Sequence, residues 1–86
     1  MKRYTFIAEF RGGTYISQHV EKDIYDALKI WVATLDTSIF PQRIIDKLQK
    51  EIIEEEPTPI TGVKNVWCSS FLPYNSFLLL NIIETA

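Results

Sequence analysis

The sequence predicts an α+β fold, a two-layer sandwich in which two helices cover one face of a four-stranded, mainly antiparallel sheet, in the order ββααββ. Three observations support this prediction. Two adjacent glycines separate β-rich runs, two amphipathic patterns follow, and residues 77–83 are apolar at every position except Asn81. Such a run predicts a central strand that is buried on both faces. The 86 residues fit one domain, residues 1–86.

The first hairpin is predicted over residues 3–18. Residues 3–10 alternate in the way that a strand requires, and residues 14–18 form a second, shorter strand. Gly12 and Gly13 between them are typical of a two-residue turn, because such turns need a positive φ. With these glycines as the loop, Phe10 faces Tyr15, and the aromatic pair fixes the register.

Two amphipathic helices are predicted after this hairpin. Asp23 is a suitable N-cap for the first helix, and Pro41 suits the first turn of the second. Ile30 lies off the first apolar stripe, either as a lone exposed residue or as part of a second contact. Pro57 ends the second helix. The two stripes, with three- and four-residue spacing, are Ile24, Ala27, Leu28, Trp31, Val32 and Leu35, then Ile44, Ile45, Leu48 and Ile52.

A second hairpin is predicted from residues 63–71 and the apolar run. The connection over residues 72–76 contains Pro73 and Asn75, which are typical of tight turns. If residues 72 and 76 pair, Phe71 faces Phe77 across the two strands.

Two helices on one face leave the other face of the sheet uncovered, although the last strand is apolar on both sides. An exposed apolar patch of this kind marks an interface more often than a free surface. We therefore expect a homodimer that forms through a sheet face or a sheet edge, or burial of this face against another protein. The alternative is that the second helix or residues 56–62 wrap across this face. The candidate interface residues are Phe77, Leu79, Ile83, Trp67, Phe71 and Ile30.

Residues with catalytic potential form no recognisable motif in the sequence. His19 is the only histidine, and a single cysteine, Cys68, excludes an intramolecular disulfide and a cysteine-based zinc site. We expect no catalytic residue, no cofactor and no metal, and hence a non-catalytic protein. The alternative is a small-molecule binding or catalytic pocket between helices and sheet, near His19, Trp31 and Trp67.

Charge gives no strong indication of a partner. A net charge of -2, from nine basic and eleven acidic residues, creates no field that attracts nucleic acid or anionic lipid. Arg43, Lys47 and Lys50 share one flank of the second helix, which leaves nucleic-acid contact there as a further alternative. Because no run reaches the length of a signal peptide or a membrane span, we expect a cytoplasmic protein without membrane contact.

The first third of the chain resembles the opening of HicB-type antitoxins. Residues 4–10, the stretch 12–18 and Asp26-Ala27-Leu28 correspond to the strand, the Gly-Gly turn and the helix with a Glu-Ala-Leu element that open those proteins. The chain departs from the family in lacking a Pro-Gly-Cys stretch before the helix and in having a second helix. The resemblance implies an antitoxin-like inhibitor; an immunity-like inhibitor or an adaptor is an equivalent expectation for an interaction domain. No functional residue is carried over.

Overall fold

A computed structural model describes residues 1–85 as an α+β fold. Within these residues two helices pack on one face of a five-stranded antiparallel sheet of order β2-β1-β5-β4-β3. The predicted fold class and the two helices are confirmed. The elements are β1 (Lys2–Phe10), β2 (Gly13–Glu21), α1 (Ile24–Ala33), α2 (Gln42–Glu54), β3 (Thr58–Pro59), β4 (Val66–Phe71), a 3-10 turn (Pro73–Asn75) and β5 (Leu78–Glu84).

The two hairpins join through the first and last strands. Tyr4 pairs with Glu84 and Phe10 pairs with Leu78, so β1 and β5 form the middle of the sheet. The predicted order ββααββ is wrong in one respect, because Thr58–Pro59 adds the short edge strand β3 against β4. Proline is tolerated at a sheet edge, where its missing N–H leaves no gap in a ladder. In addition, a strand of only two residues is too short to show the alternation from which a strand is predicted.

The turn of the first hairpin lies one residue earlier than the glycine pair predicts. Arg11 (φ 49°) and Gly12 (φ 80°) are its central residues, as a type I′ turn requires. Phe10 therefore pairs with Gly13 and not with Tyr15. This shift of the pairing by two residues keeps every side chain on its predicted face. A Cβ on Gly13 would lie 2.6 Å from Cζ of Tyr15, so the ring accounts for the second glycine.

The helices begin and bury their side chains largely as predicted. Asp23 is the N-cap of α1, and its Oδ1 accepts a hydrogen bond from the backbone N of Asp26 at 2.9 Å. Pro41 occupies the N-cap position of α2, immediately before the first turn. Leu35 and Ile52 are partly buried. The fully buried stripe residues are Ile24, Ala27, Leu28, Trp31 and Val32 on α1, and Ile44, Ile45 and Leu48 on α2.

The core lies between the helices and the sheet and includes the connection between α1 and α2. Phe40 in this connection is buried and stacks on Phe10 of β1, with 4.8 Å between the ring centroids. The ring of Tyr15 packs edge-on against Phe40 at 5.6 Å. These contacts fix the loop between the helices onto the sheet, in addition to the helical stripes.

The second hairpin differs from its predicted register by one residue. Phe71 pairs with Leu78 rather than with Phe77, because the connection contains a 3-10 turn in which Tyr74 and Asn75 have positive φ. A shift by one residue changes which side chains share a face. The residues of β5 that join the core beside Phe71 are therefore Leu78, Leu80 and Ile82.

Candidate functional site

The sheet face opposite the helices is the candidate functional site, and we call it the open face. No element of residues 1–85 packs over it. Because side chains alternate along each strand, odd-numbered residues of β1 and β5 and even-numbered residues of β2 and β4 belong to it. Its apolar members are Ile7, Ile16, Val20, Val66, Leu79 and Ile83. Its polar members include Thr5, Glu9, Thr14, Gln18, Cys68, Ser70 and Asn81.

Cross-strand pairing brings four of the six apolar side chains of the open face together in two pairs. Ile16 pairs with Ile7, and Ile83 pairs with Val66. The two residues of β2 are the most accessible, since Ile16 is 67% and Val20 is 50% exposed. Neighbouring apolar side chains that are exposed and bordered by polar residues are typical of surfaces that contact another protein.

A polar network crosses one end of the open face. Nε2 of Gln18 donates to Oγ1 of Thr5 at 3.1 Å, and Oγ1 of Thr5 lies 3.1 Å from Oγ1 of Thr85. These exposed contacts align the polar side chains across neighbouring strands, so this end of the open face is hydrophilic.

The two edges of the sheet differ in how well they are protected against pairing with another strand. β3 has two residues, and Pro59 has no backbone N–H to donate. β2 has nine residues and contains neither proline, lysine nor arginine. Short strands, proline and lysine are the usual protection of a sheet edge. β2 is therefore the edge that is free to accept a further strand.

The backbone groups that β2 presents at this edge follow from the hairpin geometry. The pair that closes a two-residue turn, Phe10 with Gly13, is hydrogen-bonded, and hydrogen-bonded pairs then alternate along the ladder. The residues of β2 that lie between these hydrogen-bonded pairs direct their N–H and C=O groups away from β1. These outward-facing residues are Thr14, Ile16, Gln18 and Val20, whose side chains all belong to the open face.

The structure divides the predicted interface residues between the two faces. Three of the predicted interface residues are on the side of the open face: Leu79, Ile83 and Phe77, which is exposed and immediately precedes β5. Trp67 is half-buried on the helix side, against Tyr4 at 6.2 Å between the ring centroids. Phe71 is buried in the core, so its assignment to the interface is corrected. Its ladder partner is the core residue Leu78, whereas the predicted register gave it the exposed Phe77.

Ile30, the predicted interface residue on α1, is 40% exposed. Thr34 lies one helical turn later on the same side of the helix, and its Oγ1 donates to the carbonyl of Ile30 at 3.0 Å. Thr34 also lines a cleft of about 140 Å³ together with Ile16 and Ser17 of β2. Ile30 is therefore on the side of α1 that faces the β2 edge.

The sequence prediction missed three members of the open face: Ile7, Ile16 and Val20. The signal for Val20 was the continued alternation after Gln18, where the predicted strand ended. Ile16 was placed opposite Glu9 by the predicted register, whereas the observed register places it opposite Ile7.

The three residues of the predicted pocket lie in the layer between helices and sheet, where aromatic rings fill the space among them. His19 packs against Phe6, and Phe6 stacks on Trp31 with 5.7 Å between the ring centroids. Trp67 contacts Tyr4 instead. The cleft that reaches Trp31 opens at the β2 edge, and neither His19 nor Trp67 lines it. The structure therefore brings these residues into one layer but not into one cavity.

A larger open cleft, of about 590 Å³, lies where the two hairpin turns meet, and Arg11 and Phe77 are among its lining residues. Nη2 of Arg11 donates to Oγ of Ser76 at 3.2 Å, and its guanidinium lies 4.9 Å from the ring centroid of Phe10. On α2, the guanidinium of Arg43 lies over the ring of Tyr74 at 5.4 Å. Both arginines are therefore engaged in contacts within the fold.

Two further features of residues 1–85 bear on the site. No group of three or more histidine, cysteine, aspartate or glutamate side chains within these residues is placed to hold a metal ion. Among the same residues, neither helix has the length and hydropathy needed to cross a bilayer. In comparisons with known proteins, no protein-family model, no curated protein and no solved structure matches this chain.

Proposed function

We propose that the chain is a small, non-catalytic protein-interaction domain that works as a homodimer through its sheet, either at the open face or at the β2 edge that borders it. One observation supports this most directly. Ile16 and Val20 are at least half exposed at the edge of the sheet, and Ile16 pairs with the apolar Ile7 of β1. Burying exposed apolar side chains of this kind removes them from water, which contributes favourably to association. We further propose that the dimer acts as an antitoxin-like or immunity-like inhibitor, or as an adaptor.

The experiment that tests the proposal is the solution mass, measured by light scattering across a dilution series. The expected result is a dimer that dissociates at low concentration. Ile16→Lys should weaken it, because the lysine places a charge on the apolar surface. Ile53→Lys is the matched control, since Ile53 is 75% exposed on α2, away from the open face. A monomer at every concentration, or equal effects of both substitutions, would contradict the proposal.

A further inference from the structure

We infer that two copies of the chain pair antiparallel through their β2 strands, with Gln18 of one copy opposite Gln18 of the other. The two sheets then become one continuous sheet. This inference rests on the proposed function and specifies where the two copies of the chain meet, at their β2 edges. The starting point is the unequal protection of the two edges, because β3 is short and contains Pro59 whereas β2 is long and unprotected.

The backbone limits the registers in which two β2 strands can pair. In an antiparallel pair, hydrogen bonds form between residues whose N–H and C=O groups both point at the partner strand. On β2 these residues are Thr14, Ile16, Gln18 and Val20. A homodimer with a two-fold axis also requires that each pair occurs twice or lies on the axis itself. The possible registers are therefore few, and they differ in which side chains meet on the open face.

The register centred on Gln18 gives the best match of side chains. It places Ile16 opposite the partner copy's residue 20, twice, and Gln18 opposite its own copy, so that apolar meets apolar and amide meets amide. A register centred on Ser17 places Ile16 opposite glutamine. One centred on Ile16 leaves Val20 beyond the end of the partner strand. The strand is thus self-complementary about Gln18.

The helix side of β2 is compatible with the same register. There Ser17 of one copy lies opposite residue 19 of the other, which places a hydroxyl opposite an imidazole. Tyr15 lies opposite residue 21, which places a phenol opposite a carboxylate. Each of these pairs can form a hydrogen bond. No like charges are therefore opposed along the paired strands.

The layer above β2 provides a second apolar contact. The cleft beside Trp31 opens at the β2 edge, and a strand added at the usual spacing of about 4.8 Å covers it. The same addition brings the α1 helices of the two copies side by side. Ile30 faces this edge and is partly exposed, which leaves it available for that contact.

The register is tested by a pair of charge substitutions. Ile16→Lys and Val20→Glu should each weaken the dimer about tenfold, because each change occurs twice in a two-fold dimer. Mixing the two variants should restore association. In the mixed dimer the introduced lysine faces the introduced glutamate at one end, and the native isoleucine and valine meet at the other. Light scattering and native mass spectrometry of the single variants and the mixture give the result.

A cysteine crosslink provides an independent test. In a Cys68→Ser background, Gln18→Cys should form a disulfide-linked dimer on mild oxidation, since paired residues lie about 5.5 Å apart. Thr5→Cys is the matched control, because Thr5 pairs with Gln18 but lies one strand further from the axis. Its two copies would be about 14 Å apart, beyond the reach of a disulfide.

The outcomes separate the pairing from the proposed function. A wild-type monomer at every concentration overturns both. A wild-type dimer that mixing does not restore, or that Thr5→Cys crosslinks as readily as Gln18→Cys, overturns only the pairing. Ile83→Lys provides a further distinction, because Ile83 lies two strands from the β2 edge. The pairing requires that this variant stays dimeric, whereas dissociation would indicate that the open faces stack on one another.

Discussion

The imidazole of His19 packs edge-on against the ring of Phe6, with 5.4 Å between the ring centroids and 75° between the ring planes. Its Nε2 lies 3.1 Å from Oγ of Ser17. Burial lowers the pKa of His19 below its ordinary value of 6.5, and the nearby carboxylate of Glu21 opposes this effect. The folded chain therefore favours the neutral imidazole.

This contact predicts a loss of stability in mild acid. Because the folded pKa is the lower one, the unfolded chain takes up the proton first as the pH falls below about 6.5. The contribution of His19 is complete above that pH and is lost as the pH falls through the folded pKa. We expect the free energy of unfolding in urea to decrease from pH 7.5 to pH 5.5. His19→Gln, which cannot take up a proton, should show a smaller decrease, and an unchanged decrease would contradict this explanation.

From the structure of the first hairpin, we expect alanine to destabilise the fold at both of its glycines, but for different reasons. Gly13→Ala should destabilise the fold by about 1–2 kcal/mol, because the new Cβ displaces the ring of Tyr15 from Phe40. In a Tyr15→Ala background this loss should largely disappear. Gly12→Ala should cost about 1 kcal/mol in both backgrounds, since its φ is +80° and no atom within 4 Å opposes a Cβ. A double-mutant cycle by denaturant unfolding measures the difference; equal coupling for both glycines would contradict the prediction.

The connection between the helices predicts a large effect at Phe40. Phe40→Leu should reduce the free energy of unfolding by about 2 kcal/mol, because it removes buried volume and the stacking on Phe10. Phe77→Leu is the matched control: Phe77 is mostly exposed, so the change should stay within about 0.5 kcal/mol. Urea titration of both variants measures the two changes in the free energy of unfolding. Similar losses would show that Phe40 does not fix the connection to the sheet.

We expect that replacing Glu51, near the end of α2, by a neutral residue stabilises the fold. Its Oε2 is buried and has no hydrogen-bond partner among the described residues, although the residue as a whole is half-buried. Burial raises its pKa, Lys47 opposes this, and Glu55 and Glu54 add to it. Because the folded pKa is the higher one, protonation of Glu51 adds stability as the pH falls through that value.

Glu51→Gln should therefore raise the free energy of unfolding at pH 7 by about 0.5 kcal/mol, since it replaces a poorly solvated charge by a neutral amide. Glu54→Gln is the control, because it removes an equal charge from the same helix end at an exposed position. Thermal unfolding of both variants at neutral pH provides the comparison. If Glu54→Gln stabilised the fold as much, the helix dipole rather than burial would be the cause.

The helices could be predicted from the sequence because their signals are local. The spacing of Ala27, Leu28 and Trp31 indicates one face of a helix whatever packs on it, and Asp23 marks the first turn by its own side chain. The two faces of β1 follow from alternation in the same way. These features depend on neighbours within a few residues.

The registers could not be predicted in the same way, because each depends on which residues adopt a left-handed conformation. A type I′ turn needs two such residues, and Arg11 gave no sign that it would be one of them. In the second hairpin, Tyr74 adopts the same conformation and lengthens the connection. That the last strand has an apolar surface on each side was evident from its composition. The conformation of this turn determines which of the two surfaces of β5 joins the core. It also determines that Phe71 lies in the core.

The pairing of β1 with β5 has a consequence for how quickly the sheet can form. These strands are far apart along the chain but adjacent in space, and the backbone N of Thr85 donates to the carbonyl of Arg3 at 2.8 Å. Contacts between distant segments slow folding, because a long loop must close before they form. A circular permutant joined there by a short linker and opened at the Gly62 turn would place β4, β5, β1 and β2 one after another. These four strands would then form a simple meander, with only the two-residue strand β3 still added after the helices, and we expect the chain to fold faster.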